Sequence, residues 1–293
     1  MPVGALALVL LAGVIHASWN IVAKRAGGDV RFAAFTTVVN ILTWAPLGVW
    51  IGWRALPQWG GREWALLALS ALLHSGYYLL LLRGYRKADL TVVYPLARGA
   101  GPLLSSLAAL WLLGETLSAL GAAGIAGVVG GVFLIAGGPA LWRRSHDPEA
   151  RRRLHKGMFY GVASGVFIAS YTVVDGYAVK VMLLSPILVD YVGAVLRIFV
   201  VGPSVLRDPP AARALWRLQW KHALFVGVVS PVSYVLVLYA VKVAPLSHVA
   251  PAREVSMLFA ALIGGQLLGE GDRAVRVAGA ACIAAGVMAL ALG

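Results

Sequence analysis

The chain has 293 residues, 60% of them hydrophobic and 13% charged, with a formal net charge of +13 and a mean hydropathy of +0.82. So much apolar surface has no place in one water-soluble core, and the composition specifies an integral membrane protein. The basic residues lie between apolar runs and never form a stripe interleaved with aromatics, which excludes a nucleic-acid reader, while the single Cys282 excludes an intramolecular disulfide and a cysteine metal cage.

Windows of about 20 residues predict ten spans and an all-α membrane fold. The opening run, "MPVGALALVLLAGVIHASWN", lacks the basic start and cleavage site of a signal peptide, so residues 3–23 read as a first permanent span. It is followed by spans at 32–53, 64–84, 90–113 and 118–137. A basic linker, 138–156, divides the chain nearly in half, and a second set follows at 157–178, 186–206, 222–242, 246–268 and 274–292.

The two sets align. "PLARGAGPLLSSLAALWLLGE" (95–115) matches "APAREVSMLFAALIGGQLLGE" (250–270) without a gap, placing Arg98 opposite Arg253, and "HASWNIVAKRA" (16–26) matches "IASYTVVDGYA" (168–178), placing Trp19 opposite Tyr171. Residues 1–137 and 157–293 therefore read as two homologous five-helix repeats. An odd number of spans per repeat inserts the second upside down relative to the first, the arrangement in which transporters place a substrate site between their halves.

Loop charge sets the expected orientation. The connections after spans 1, 3, 5, 7 and 9 carry most of the lysines and arginines, whereas the alternate connections carry only Arg54, Arg62, Lys180 and Lys242. The odd connections are expected in the cytoplasm, with both termini outside.

Polar residues inside spans are costly in a bilayer and need a protein or cavity partner. Arg98 and Arg253, repeated in both halves, are expected to lie toward opposite membrane faces as gate or interhelical elements, with Glu254 and Asp190 as candidate partners for Arg253. Asp190 and Arg197 share a face of span 7, as an internal ion pair or a selectivity element. Glu115 and Glu270 end spans 4 and 9 and are expected to cap the helix that follows. Pro102 and Pro251 are candidate hinges, because an interior proline frees a backbone carbonyl. His74, Ser230 and His248 belong to polar faces expected to line a cavity. The glycines of spans 5 and 10 read as close helix packing.

The "HASWN" of span 1, the "PLARGAGPLLSSLAALWLLGETLS" of spans 4 and 5 and its echo in span 9 resemble EamA-type members of the drug/metabolite transporter superfamily, most closely the YddG-type amino acid exporters. The resemblance covers nearly the whole chain. It implies a multi-pass protein of the bacterial inner membrane, a monomer among membrane lipids, moving a small-molecule substrate through a central cavity without a cofactor or a metal. Carried over by position, it points to His16, Trp19, Tyr78, Tyr94, Tyr171, Ser230, Tyr234 and Ser247 as cavity residues, and Asn20, opposite Thr172 in the second half, is a further cavity candidate. An amino acid fits such a lining, and so do other small metabolites. A lipid-linked sugar flippase shares the implied fold. A small-multidrug-type cation pump would carry a carboxylate in span 1, where this chain has His16. An intramembrane enzyme is disfavoured, since the chain has no HExxH, GxGD or GxSxG.

Overall fold

A computed structural model of the chain describes residues 1–88, 90–135, 148–264 and 273–293. Among the described residues every regular element is helical. Backbone polar groups in hydrocarbon must be paired within the segment, and a helix does this locally. The first half contains α1 (Val3–Ala26), α2 (Val30–Ala55), α3 (Gly61–Lys87), α4 (Leu90–Leu112) and α5 (Ala119–Ile135). The second contains α6 (Pro148–Lys180), α7 (Pro186–Val201), the short α8 (Pro203–Leu206), α9 (Pro209–Val243), α10 (Leu246–Ala252), α11 (Val255–Gly264) and α12 (Arg273–Leu292). Six of these stretches are long and apolar enough to cross a membrane, and Leu96–Leu112, Ala119–Ile135 and Val277–Leu292 are shorter apolar helices.

Three boundaries differ from the hydropathy reading. Helix α6 begins at Pro148, inside the expected linker, and its polar first turns are supported by an Arg153–Glu149 ion pair at 3.0 Å. Helix α9 begins at Pro209, well before residue 222, because Asp208 caps it through the Ala211 N–H and two prolines suit its first turn. Span 9 is two helices, α10 and α11, separated at Arg253 and Glu254. Hydropathy measures the depth of the membrane, not the length of the helix.

Several main contacts recur between the halves. Helix α5 packs on α12 and α2 on α7; α4 packs on α6 as α1 packs on α11, α3 on α6 as α1 on α9, and α3 on α7 as α2 on α9. Exchanging each first-half helix for its second-half counterpart returns these pairs, whereas the contacts of α9 with α6 and α7 have no comparable counterpart between α3 and α1 or α2 among the described residues. At α5 and α12 the contact is backbone to backbone: a Cβ on Gly131 would lie 2.5 Å from the Gly279 carbonyl oxygen, and one on Gly286 would lie 2.7 Å from that of Gly124. Gly130 faces open space and takes no part.

The ends of the helices sort into two groups. Met1 donates its ammonium to the Ala291 carbonyl, a Cβ on Gly293 would lie 2.7 Å from Ser118 Oγ, and Lys180 meets both Glu115 and the Ala244 carbonyl, so both termini and the connections after spans 4, 6 and 8 share one end. At the other end Arg31 pairs with Asp208 at 3.1 Å and Gln219 donates to the Ala26 carbonyl, joining the connections after spans 1 and 7.

Candidate functional site

Helices α3, α6 and α9 bring three predicted cavity residues together around a fourth that the sequence reading passed over. Asp175, fully buried on α6, accepts a short hydrogen bond from the Tyr234 hydroxyl through Oδ2. The same oxygen lies 3.0 Å from His74 Nε2. Tyr171, one turn earlier on α6, stacks on the His74 ring with centroids 3.8 Å apart, and Tyr234 meets that ring edge-on. The aromatic cage fixes the imidazole, and the imidazole and phenol fix one carboxylate oxygen. Asp175 Oδ1 has no hydrogen-bond partner, and neither does Thr172 Oγ1.

The second cluster lies where α10 gives way to α11. Arg98 on α4 pairs with Glu254 at 2.8 Å and donates to Ser256 Oγ at 3.1 Å, while Arg253 lies 3.9 Å from the other oxygen of the same carboxylate. The two arginines therefore converge on one buried group instead of lying toward opposite membrane faces. Two guanidiniums and one carboxylate form a triad that carries a formal excess of one positive charge. Glu254 is a partner of Arg253, as expected, but its closer partner is Arg98. Asp190 is not a partner of Arg253: it faces Arg197 at 3.8 Å and accepts from Asn40 Nδ2 at 3.3 Å, joining α7 to α2. The internal ion pair is thus the reading that the geometry supports there.

Arg253, Thr172 and Tyr234 line a cavity of about 10 Å³, closed on its other sides by aliphatic residues of α9 and α10 such as Val237, Val241 and Val249. That volume holds about one water molecule.

Glu115 caps a helix, but not the one that follows it. Its Oε1 accepts from Lys180 Nζ at 2.6 Å and from the Leu246 N–H at 2.7 Å, and its Oε2 accepts from the Ser247 N–H at 2.9 Å. It therefore caps α10, in the opposite repeat, because the first turn of α10 presents unpaired N–H groups beside the α4–α5 connection. Burial alone would raise the Glu115 pKa, but the Lys180 ammonium and the two backbone donors outweigh burial and hold the carboxyl below its usual range. Glu270 lies outside the described residues.

Ser247 and His248 belong to this capping region and not to the cavity. The Ser247 carbonyl accepts from Ser106 Oγ at 3.0 Å, its hydroxyl lies 3.3 Å from His248 Nδ1, and a Cβ on Gly121 would meet His248 Nε2 at 3.3 Å. Pro251 explains the first contact. Having no N–H, it leaves the carbonyl four residues back, that of Ser247, without its helical donor, and Ser106 supplies one from α4.

The remaining predicted residues are dispersed. Trp19 donates through Nε1 to Ser233 Oγ at 3.2 Å, linking α1 to α9, and its ring meets His16 edge-on. Asn20 donates to the His16 carbonyl within α1, so its amide is spent locally. Tyr78 reaches the Asp29 carbonyl at 3.2 Å, at the α1–α2 connection and away from the His74 cluster. Ser230 contributes its carbonyl, which accepts from Ser233 Oγ. The Pro102 carbonyl accepts from Ser105 Oγ within α4. The Tyr94 side chain lies outside the described residues. Sequence reasoning missed Asp175, Asn40 and the bridging role of Lys180. The signal for Asp175 was present: it is an acid inside a predicted span, with Ala23 at the matching place in the first repeat.

Comparison with known proteins agrees with this architecture. A solved structure described as "Crystal structure of protein" superposes with a TM-score of 0.76 over 98% of this chain and 97% of that one, at 14% sequence identity, a likeness that shows the fold alone. No curated protein matches the chain. The sequence pattern of the EamA-like transporter family matches residues 3–137 and, a second time, residues 155–292. The pattern is that of a transporter family and not of an enzyme family. With two family units covering nearly its whole length, this multi-pass membrane protein belongs to the EamA-like transporters.

Proposed function

We propose that the protein is a secondary transporter, an exporter or facilitator, that moves amino acids or similar small metabolites across the bacterial inner membrane by alternating access. Its ten spans would form two inverted five-helix repeats, with the basic connections after the odd spans in the cytoplasm and both termini outside. The observation that carries this reading is the polar lining of the small cavity among α6, α9 and α10 of the second repeat. Thr172 and Tyr234, the latter bonded to Asp175, meet Arg253 of the other cluster there, among otherwise aliphatic helices. Polar groups at such a place serve a solute that visits both sides. A cavity of about 10 Å³ holds no amino acid, so transport requires α6, α9 and α10 to part.

Cation efflux is the second reading, and Asp175 favours it. The small-multidrug comparison looks for a carboxylate in span 1; this chain carries one in span 6, the repeat counterpart of span 1.

The test is efflux from proteoliposomes loaded with mixed labelled amino acids, with and without an imposed pH gradient. Release above protein-free vesicles of one or more amino acids is expected. Release of none of them, by protein that is folded and correctly inserted, would remove the amino acid reading. A cysteine placed in the 138–156 linker tests the orientation: it should resist an impermeant thiol reagent in intact cells and react after lysis.

A further inference from the structure

We infer that Asp175 is the docking point for a primary ammonium group, so that the transported substrate is an aliphatic amine or amino acid whose positive end replaces the missing partner of Asp175 Oδ1. This rests on the transporter reading above and narrows its substrate class.

The carboxylate is fully buried, and among the described residues no lysine or arginine lies within ion-pair distance of it; its one ion-pair neighbour is His74. A carboxylate buried without a cation is left with its charge uncompensated. Other buried acids of this chain are matched: Glu254 by Arg98 and Arg253, Asp190 by Arg197. Asp175 instead has two weaker donors on one oxygen, Tyr234 and His74, and nothing on the other. A donor that carries positive charge fits that vacancy better than a neutral one.

The neighbours define the rest of the ligand. Thr172, one turn before Asp175 on α6, lines the cavity with a hydroxyl that has no partner, and Tyr234, which holds Asp175 Oδ2, lines it too. The cavity's aliphatic wall of Val237, Val241 and Val249 suits a branched hydrocarbon side chain. Arg253 stands at the same cavity with its Nε lacking a hydrogen-bond acceptor. It can take a carboxylate, and Asp175 takes the ammonium end.

Three probes separate the ends of such a ligand: leucine, 3-methylbutylamine, which lacks its carboxylate, and 4-methylpentanoate, which lacks its amine. Counterflow uptake of each is measured in proteoliposomes of the full chain at equal pH on both sides. Leucine and the amine should exchange, and 4-methylpentanoate should not. Asp175→Asn should lower uptake of both amines at least tenfold while remaining monodisperse, and Asp175→Glu should retain part of it. If Asp175→Asn does not fold, the probes and Asp175→Glu decide. Uptake of 4-methylpentanoate without either amine by the wild type overturns the inference and leaves the transporter reading standing, whereas uptake of no probe and of no other labelled metabolite removes both. A folded Asp175→Asn that exchanges amines at the wild-type rate overturns it as well. So does one that, when the uptake is repeated with an imposed pH gradient, has lost only its response to that gradient, which would make Asp175 a proton site.

Discussion

The two arginine-bearing segments descend from the same repeat block, yet they are built differently. Around Arg98 the chain is one helix, α4, running from Leu90 to Leu112; around Arg253 it is two, α10 and α11. Between the aligned blocks, Arg98 is followed by Gly99 and Arg253 by Glu254, and Pro251 stands where the first repeat has Leu96. Repetition placed a guanidinium at matching points of both halves, and divergence at the neighbouring position supplied one carboxylate to serve both. The arginine of the first repeat pairs with the acid of the second, so the charge pairing is itself a contact between the halves.

The sharpest way to break that arrangement is to remove the shared acid. Glu254→Ala leaves two buried guanidiniums facing each other, and the loss of one partner from a buried ion pair typically costs about 3–5 kcal/mol, so a large fall in the thermal unfolding temperature in detergent is expected. The two arginines should then prove unequal. Arg98→Met should destabilise more than Arg253→Met, because Arg98 lies at 2.8 Å from Glu254 and also holds Ser256, whereas Arg253 lies at 3.9 Å. Equal losses would mean that the triad is symmetric in energy although it is not in geometry.

A second exchange between the halves is the Glu115 cap on α10. Glu115→Gln should cost about 1.5–3 kcal/mol, the range for hydrogen bonds to a charged group. The sign with pH follows from the lowered pKa: the contribution is complete above the unfolded value of 4.5 and disappears as pH falls through the lower folded value. The gap in unfolding temperature between wild type and Glu115→Gln should therefore stay constant from neutral pH down to about 5 and close below 4.5. A gap that instead widened on acidification would show that Glu115 is not held ionised by Lys180.

These two clusters also mark what could be read from the sequence. The repeat, the helical class and the glycine contact of α5 on α12 were legible, since each depends on residue type and spacing along a span. The polar face of span 3 brought His74 into view and the family resemblance Tyr171 and Tyr234, and the structure joins them. The partners were not legible. The sequence reading assigned Glu115 to the helix next in the chain, and the structure gives it to α10, because which helix end lies beside a loop is decided by tertiary packing and not by chain order. The inversion argument set Arg98 and Arg253 apart, but Arg98 reaches from the first repeat to Glu254, the residue next to Arg253. Asp175 was overlooked because its repeat counterpart is Ala23, so a search for matched residues passed over it.

The apolar side of the repeat interface offers a contrast in kind. Gly131→Ala would bring a methyl within 2.5 Å of the Gly279 carbonyl oxygen and 2.8 Å of the Ile283 nitrogen. Neither backbone atom can swing aside, so α5 and α12 must separate at a cost of about 1–3 kcal/mol. Gly130→Ala, one residue away and facing open space, should leave stability unchanged or raise it by about 0.4–1 kcal/mol through the unfolded chain. Equal losses for the two variants would show that helix propensity, and not close packing, sets the value of these glycines.

The smallest expected effect bears most directly on why span 9 breaks where span 4 does not. In the second repeat Pro251 cannot donate to the Ser247 carbonyl, and Ser106 Oγ of α4 does so instead at 3.0 Å; in the first repeat Leu96 stands at the position of Pro251 and keeps its N–H. Ser106→Ala should therefore cost about 0.6 kcal/mol, typical of a side-chain hydrogen bond between membrane helices. The informative measurement is the double-mutant cycle with Pro251→Ala, by thermal unfolding of all four proteins. Pro251→Ala restores the missing N–H, so the Ser247 carbonyl regains a donor of its own helix and Ser106→Ala should cost nothing in that background. The coupling energy would then equal the whole of the Ser106→Ala effect. If Ser106→Ala instead costs the same in both backgrounds, the hydroxyl acts by local packing, and the proline is not what makes the second repeat depend on the first for its backbone hydrogen bonds.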